Sequence, residues 1–233
     1  MSFAPEWFFG RDSAAISLGT SPEPSGGVLL YGGPRTGKTS LLFQLAVHHA
    51  QRGTRVVFVC NRMRLYASPP VLAISLDSIT EEALSRIEFK YIESDSVLRQ
   101  YLAGLVDLPG VIIVDDMSAM CDASKHTDAV LRTLALLHDT VKWLRGRHGV
   151  TPCMFLVADT AVGDQGPWGS PLSRSHCLTH VASLEESEDG LRMTYAPMRV
   201  RAGDAPCEAW EARYVVTDKC LTLLEVRPRV QFQ

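Results

Sequence analysis

The sequence predicts an α/β fold: a largely parallel sheet flanked by helices, with antiparallel strands at its C-terminal end. Three observations predict it. Residues 56–60 (VVFVC), 111–114 (VIIV) and 153–158 (CMFLVA) are continuous apolar runs, the pattern of strands buried on both faces. Helical periodicity separates them, most clearly over 127–146, where Val130, Leu134, Leu137, Val141 and Leu144 recur on one face. Beyond residue 177 the helical pattern stops, and Glu188-Asp189-Gly190 and Thr217-Asp218-Lys219 read as hairpin turns between short strands.

Taken in order, residues 1–26 form an arm and linker ending in TSPEPSGG, with no separate domain expected before the first strand. Trp7, Phe8 and Phe9 dock either on the domain itself or on a partner. Val28 to Tyr31 make a buried strand, and a helix over 38–51 carries Leu41, Leu42, Leu45 and Ala46 on one face, stopping at Arg52-Gly53. Pro69-Pro70 breaks the segment after the second strand. Residues 87–91 alternate as a short strand, and Ser94 or Asp95 caps a helix over 96–106. Pro109-Gly110 turns into a strand over 111–116 that ends in two acids. The tail strands fall at 178–184, 191–195, 212–216 and 221–226.

The chain of 233 residues suits one domain, 27–233, with a sizeable core. A formal net charge of -3 gives no global basic field, so any nucleic-acid surface must be local. The six cysteines show no C-x-x-C spacing and several sit in apolar runs, so they read as reduced core thiols rather than zinc ligands. The N-terminus is too short and acidic for a signal peptide, and no run approaches membrane-spanning length. No import signal sets the compartment directly.

The chemistry concentrates in Gly32-Gly33-Pro34-Arg35-Thr36-Gly37-Lys38-Thr39, a G-x-x-x-x-G-K-T loop between strand and helix. Glycines let successive N–H groups turn toward phosphate oxygens, and the helix N-terminus adds its dipole. Residues 32–40, through Ser40, are the expected nucleotide cradle. Lys38 is assigned to the β- and γ-phosphates of ATP, and the Thr39 hydroxyl to Mg²⁺. Asp115, after four β-branched residues at a strand's C-terminal end, is the expected acid for the metal's water shell. Asp116 has two readings: a carboxylate that orients or deprotonates water, or a surface acid or helix cap, which the strand pleat favours.

These segments resemble the RecA/RadA recombinases and their eukaryotic paralogs. The likeness rests on residues 33–39 with Gln44-Leu45-Ala46-Val47, then VVFVCNR (56–62), RIEFKYIESDSVLRQYLAGL (86–105), VIIVDD (111–116) and CMFLVADT (153–160), and it covers about 27–226. Within that family the chain most resembles the small, divergent ATPase subunits of metazoan Shu complexes. The resemblance implies a RecA-like core and a weak, DNA-stimulated ATPase in homologous recombination in the nucleus. It also implies single-stranded DNA, a SWIM-domain zinc-finger protein and a strand-exchange recombinase with its paralogs as partners. Two departures matter. Arg62 stands where the recombinases carry a catalytic glutamate, and Ala158-Asp159-Thr160 stands where they carry an Asn-Gln sensor, leaving only Asp159 or Thr160 to substitute. Binding of ATP is thus expected more firmly than its hydrolysis.

The family's DNA-contacting loops correspond to about 160–176. There Trp168 offers a stacking plane and Arg174 and His176 offer charge. Arg199, Arg201, Arg227 and Arg229 are further phosphate-contact candidates, each weighed against ordinary solvated charge. Phe43-Gln44-Leu45-Ala46 matches a recombinase docking pattern, but its place inside a helix favours packing of Phe43 on the protein's own core. His48 and His49 suit the negative end of that helix dipole, with nothing pointing to metal. Two other functions stay open: a non-hydrolysing, nucleotide-bound scaffold and, with less support, a small-molecule kinase.

Overall fold

The computed structural model describes residues 5–9, 26–121, 126–148, 153–160, 172, 175–198 and 209–229. Its elements are α1 (Glu6–Phe9), β1 (Gly27–Gly32), α2 (Lys38–Gln51), β2 (Val56–Cys60), α3 (Arg62–Ala67), α4 (Glu81–Ser85), β3 (Ile87–Tyr91), α5 (Asp95–Ala103), β4 (Val111–Val114), α6 (His126–His148), β5 (Met154–Thr160), β6 (Leu178–Ser187), β7 (Gly190–Pro197), β8 (Ala209–Val216) and β9 (Leu221–Arg229). Single 3₁₀ turns lie at Leu76–Ser78 and Ser118–Met120.

The strands form one sheet in the order β3-β2-β4-β5-β1-β6-β7-β8-β9. From β3 to β6 every pairing is parallel, and from β6 to β9 every pairing is antiparallel. The expected mixed sheet is therefore present, and both hairpin turns sit where the turn residues placed them: Ser187 pairs with Gly190 and Val216 with Leu221.

The central strands β1, β2 and β4 are buried along their whole length because both faces are covered. Val28, Leu30, Phe58, Ile113 and Leu156 face the apolar stripe of α2, which carries Leu41, Leu42 and Leu45. Leu29, Val57, Ile112 and Val157 face α5 and α6, which contribute Leu98, Leu102, Val130, Leu134, Leu137, Val141 and Leu144. The α2 layer continues under the antiparallel strands through Met193, Tyr195, Trp210 and Tyr214, and there α1 closes it. Phe8 and Phe9 are buried, with ring centroids 6.4 Å from Trp210 and 5.4 Å from Tyr214. These two rings of the arm dock on the domain itself; the Trp7 side chain lies outside the described residues.

Phe43 likewise packs inward, its ring 6.1 Å from Phe58 and 5.8 Å from Phe89. Ser94 caps α5 by accepting from the Val97 N–H at 3.4 Å. The helix ends at Ala103, earlier than the expected 106, with Gly104, a poor helix former, as its cap. Five cysteines are free thiols. Cys207 lies outside the described residues. Among the described residues no helix is long and apolar enough to cross a membrane.

Candidate nucleotide site

Parallel strands bring their C-terminal ends to one side of the sheet, and the loops leaving β1, β2 and β4 meet there beside the end of β5. β5 lies between β1 and β4, so the two motif-bearing strands flank it, and their C-terminal ends lie on the side where ligands bind in open α/β sheets.

The loop after β1 is built from close backbone approaches. A Cβ on Gly32 would lie 2.6 Å from the Leu184 carbonyl oxygen of β6, and one on Gly37 would lie 2.8 Å from Val216 Cγ2 of β8. Gly37 also takes φ 78 as the cap of α2. The Tyr214 hydroxyl of β8 donates to the Thr36 carbonyl at 2.8 Å, a buried bond between residues 178 apart. β6 and β8 thus form the back wall of the loop. The loop motif on its own does not indicate this wall. Inside the loop, the Thr36 hydroxyl donates to the Gly33 carbonyl at 2.9 Å.

Lys38 begins α2 with its side chain folded over the loop. Its Nζ donates to the carbonyls of Gly32 at 2.9 Å and Gly33 at 2.6 Å. Burial lowers its pKa to about 8, partly offset by the carboxylates of Asp115 and Asp159 and pushed the same way by Arg64. The Thr39 hydroxyl donates to Asp115 Oδ2 at 2.8 Å, so the structure joins these two residues directly. Burial raises the Asp115 pKa, while the Thr39 hydrogen bond and the charges of Lys38 and Arg64 oppose the rise. The Asp115 N–H is held by the Val59 carbonyl at 2.9 Å. Ser40 is turned away: its hydroxyl accepts from the Val71 N–H at 3.1 Å. Pro34 and Arg35 are exposed.

β4 ends at Val114, two residues short of the expected strand end. Asp116 has φ 62, and it shares this left-handed backbone with Arg35 alone among the described non-glycine residues. Such a conformation costs about 1–2 kcal/mol in an ordinary residue, and its two occurrences both border the candidate site. The pleat therefore does not decide where Asp116 points. Its carboxylate faces the site's rim and pairs with the Arg64 guanidinium.

Arg62 does not enter the site. Its guanidinium lies over the rings of Tyr66 and Tyr91, 5.5 and 5.6 Å from their centroids. Asn61 caps α3 by accepting from the Arg64 N–H at 3.1 Å, and the cap starts the turn that swings Arg64 toward Asp116. Arg64 is the residue that sequence reasoning missed. The available signal was the Asn cap before a short segment with two arginines. At the end of β5, Asp159 is buried, and its backbone aligns with Tyr31, while Thr160 aligns with Gly32.

Of the other residues the sequence singles out, some are placed by the structure and others lie outside the described residues. Burial depresses His49 to a pKa of about 4. At neutral pH it is uncharged and does not serve the helix dipole, a correction to the sequence reading. Arg227 pairs with Glu225, which occupies its charge within β9. Trp168, Arg174, Arg199, Arg201 and the Arg229 side chain lie outside the described residues.

Comparison with known proteins agrees with this geometry. The family model described as "ATPase family associated with various cellular activities (AAA)" matches residues 28–161, from the first strand through the fifth. A curated human protein, ATPase SWSAP1, is 29% identical over 126 residues, 52% of this chain and 54% of that protein. The chain thus spans about half the length of this curated relative. The crystal structure of the RadB recombinase superposes with a TM-score of 0.59 at 16% identity, over 87% of this chain and 92% of that one. A KaiC-like protein from the archaeon Pyrococcus horikoshii OT3 gives 0.53 at 18% identity, over 89% and 92%. The two structural likenesses establish a RecA-like fold. With the family model spanning the loop and the acid-tipped strand, the chain belongs to the AAA family of ATPases, as an ATP-binding P-loop NTPase.

Proposed function

We propose that residues 27–233 form one nucleotide-binding domain, preceded by an arm and linker over 1–26. Its loop, residues 32–40, would cradle Mg-ATP. One observation carries this reading: Lys38 and the hydrogen-bonded pair Thr39–Asp115 converge under a glycine loop whose curvature two neighbouring strands enforce. Lys38 Nζ now rests on two loop carbonyls. Triphosphate oxygens offer it stronger, charge-assisted partners. The loop N–H groups orient the phosphates, and burial strengthens each of these contacts.

One hydroxyl and one carboxylate suit Mg²⁺, which keeps most of its waters and takes few protein ligands. When bound, the ion would neutralise phosphate charge. Thr39 and Asp115 would hold it. Asp115→Asn should weaken nucleotide affinity in Mg²⁺ far more than in EDTA, a difference that titration in the two buffers would measure.

We propose further that the chain is a recombinase-paralog subunit that hydrolyses ATP slowly, binds single-stranded DNA and supports homologous recombination in the nucleus. Its partners would be a SWIM-domain zinc-finger protein and the strand-exchange recombinase, as in a Shu-type complex. The segments that resemble the recombinases support this reading. Slow turnover follows from the acid–base groups present: Arg62 stands in the place of the glutamate that the resemblance implies. Phosphate release with and without single-stranded DNA, beside Lys38→Ala, tests it. Turnover should be low, stimulated by DNA and abolished in the variant; equal turnover in variant and wild type would refute it.

The same departure at Arg62 favours a second reading, a nucleotide-bound scaffold that does not hydrolyse. It predicts that ATP and a non-hydrolysable analogue support partner binding equally.

A further inference from the structure

Two arginines follow β2, and the fold uses them differently. Arg62 lies over two tyrosine rings. Arg64 reaches across the rim of the candidate site to Asp116. The pair is lopsided. The Arg64 side chain keeps 61% of its surface exposed, against 17% for Asp116, and α3 buries none of its residues. Asp116 is fixed from behind: its backbone is left-handed at φ 62, and its carbonyl accepts from the Ala119 N–H at 3.2 Å. A solvated, long-stemmed cation is thus laid on a rigid acid. The adjacent residue, Asp115, holds the Thr39 hydroxyl. Arg64 also lies close enough for its charge to act on both Lys38 and Asp115.

A guanidinium at this rim has a better partner whenever a terminal phosphate is present. Phosphate oxygens match its planar fork and carry more charge than one carboxylate. The loop would serve the β-phosphate and Lys38 would reach one side of the γ-phosphate, which leaves further terminal oxygens for a residue approaching from the β2 side. We infer that Arg64 reads the γ-phosphate from within the same chain, resting on Asp116 without nucleotide and exchanging that carboxylate for the terminal phosphate of ATP. The inference rests on the Mg-ATP reading above and adds to it a device for telling ATP from ADP. It also makes the Arg64–Asp116 pair a latch: α3 is tied to the end of β4 until ATP arrives, and only then is the Asp116 carboxylate released. A purely structural ion pair would hold α3 equally with either nucleotide.

Calorimetric titration of the full chain with Mg-ADP and with a non-hydrolysable Mg-ATP analogue tests this. The proteins are wild type, Arg64→Ala, Arg64→Lys, Asp116→Asn and Lys38→Ala, each checked by thermal unfolding. Because Arg64 is exposed, its variants should fold; Arg64→Lys keeps the charge and serves if the alanine variant does not. Arg64→Ala should lose about ten- to hundredfold in affinity for the ATP analogue, the range of a charged hydrogen bond, and leave ADP affinity within about twofold. Arg64→Lys should recover part of the loss. Asp116→Asn, which frees the arginine, should bind the analogue more tightly than wild type. Equal losses for both nucleotides, no loss for either, or an Asp116→Asn loss matching that of Arg64→Ala would overturn the exchange. Failure of the underlying reading looks different: Lys38→Ala would then bind both nucleotides as wild type does, and the inference would fall with it.

Discussion

Lys38 determines how the candidate site answers to pH. Burial brings its pKa down to about 8, and bound phosphates would raise it again. The charged form is needed for binding, so nucleotide affinity should be flat below pH 8. Above that it should fall by as much as about tenfold per pH unit. Titration across this range checks the expectation; constant affinity well above pH 8 would contradict it. Two histidines, the buried His49 and the half-buried His180, act on the fold instead. Burial lowers both His49 and His180 from 6.5 to about 4, and the His180 ring stacks on Tyr195 at 5.3 Å. Their folded pKa lies below the unfolded one, so the unfolded chain takes up more protons between those values. Stability is thus full above pH 6.5 and lost as pH falls toward 4, with each group contributing on the order of 2–3 kcal/mol. Denaturant unfolding at several pH values would show it, and His180→Phe or His49→Gln should flatten the slope in that window.

At the scale of elements, the P-loop depends on strands far along the chain. Tyr214→Phe removes the bond to the Thr36 carbonyl and leaves that buried acceptor unpaired, so it should cost about 1–3 kcal/mol and weaken nucleotide binding with it. Unfolding and titration of the same variant separate the two effects. Stability loss with unchanged affinity would show that β8 does not shape the loop. The strands were legible in sequence because burial on both faces leaves an unbroken apolar run, as in residues 56–60 and 111–114. α2 and α6 were legible because each carries a long apolar stripe. α3 was not, since Arg62–Ala67 buries no residue and so writes no apolar periodicity. Nor was α4, only five residues long with Ala83 alone buried. The site was readable as far as its motifs are local: Gly32 to Thr39 and the acid-tipped strand. The contacts that complete it, from Leu184, Tyr214, Val216 and Arg64, depend on tertiary approach and leave no local pattern. The end of β4 was misjudged for a related reason: the left-handed turn at Asp116 is formed by an ordinary residue, not a glycine.

Across the whole molecule, one sheet joins two regimes. Its parallel half presents the loops of the candidate site, and its antiparallel half supports the P-loop from behind and anchors Phe8 and Phe9 of α1. Ligand binding at the junction should therefore stabilise the domain as a unit. At a hundredfold excess over Kd, Mg-ATP would contribute about 2.7 kcal/mol. For a domain of this size that corresponds to a rise in Tm of about 5–10 °C. The central claim, that this loop is a Mg-ATP site organised by Lys38, is tested most directly by thermal unfolding of wild type and Lys38→Ala with increasing Mg-ATP. The account predicts a saturable rise in Tm for wild type and none for the variant. An unchanged wild-type Tm, or an equal rise in both proteins, would contradict it.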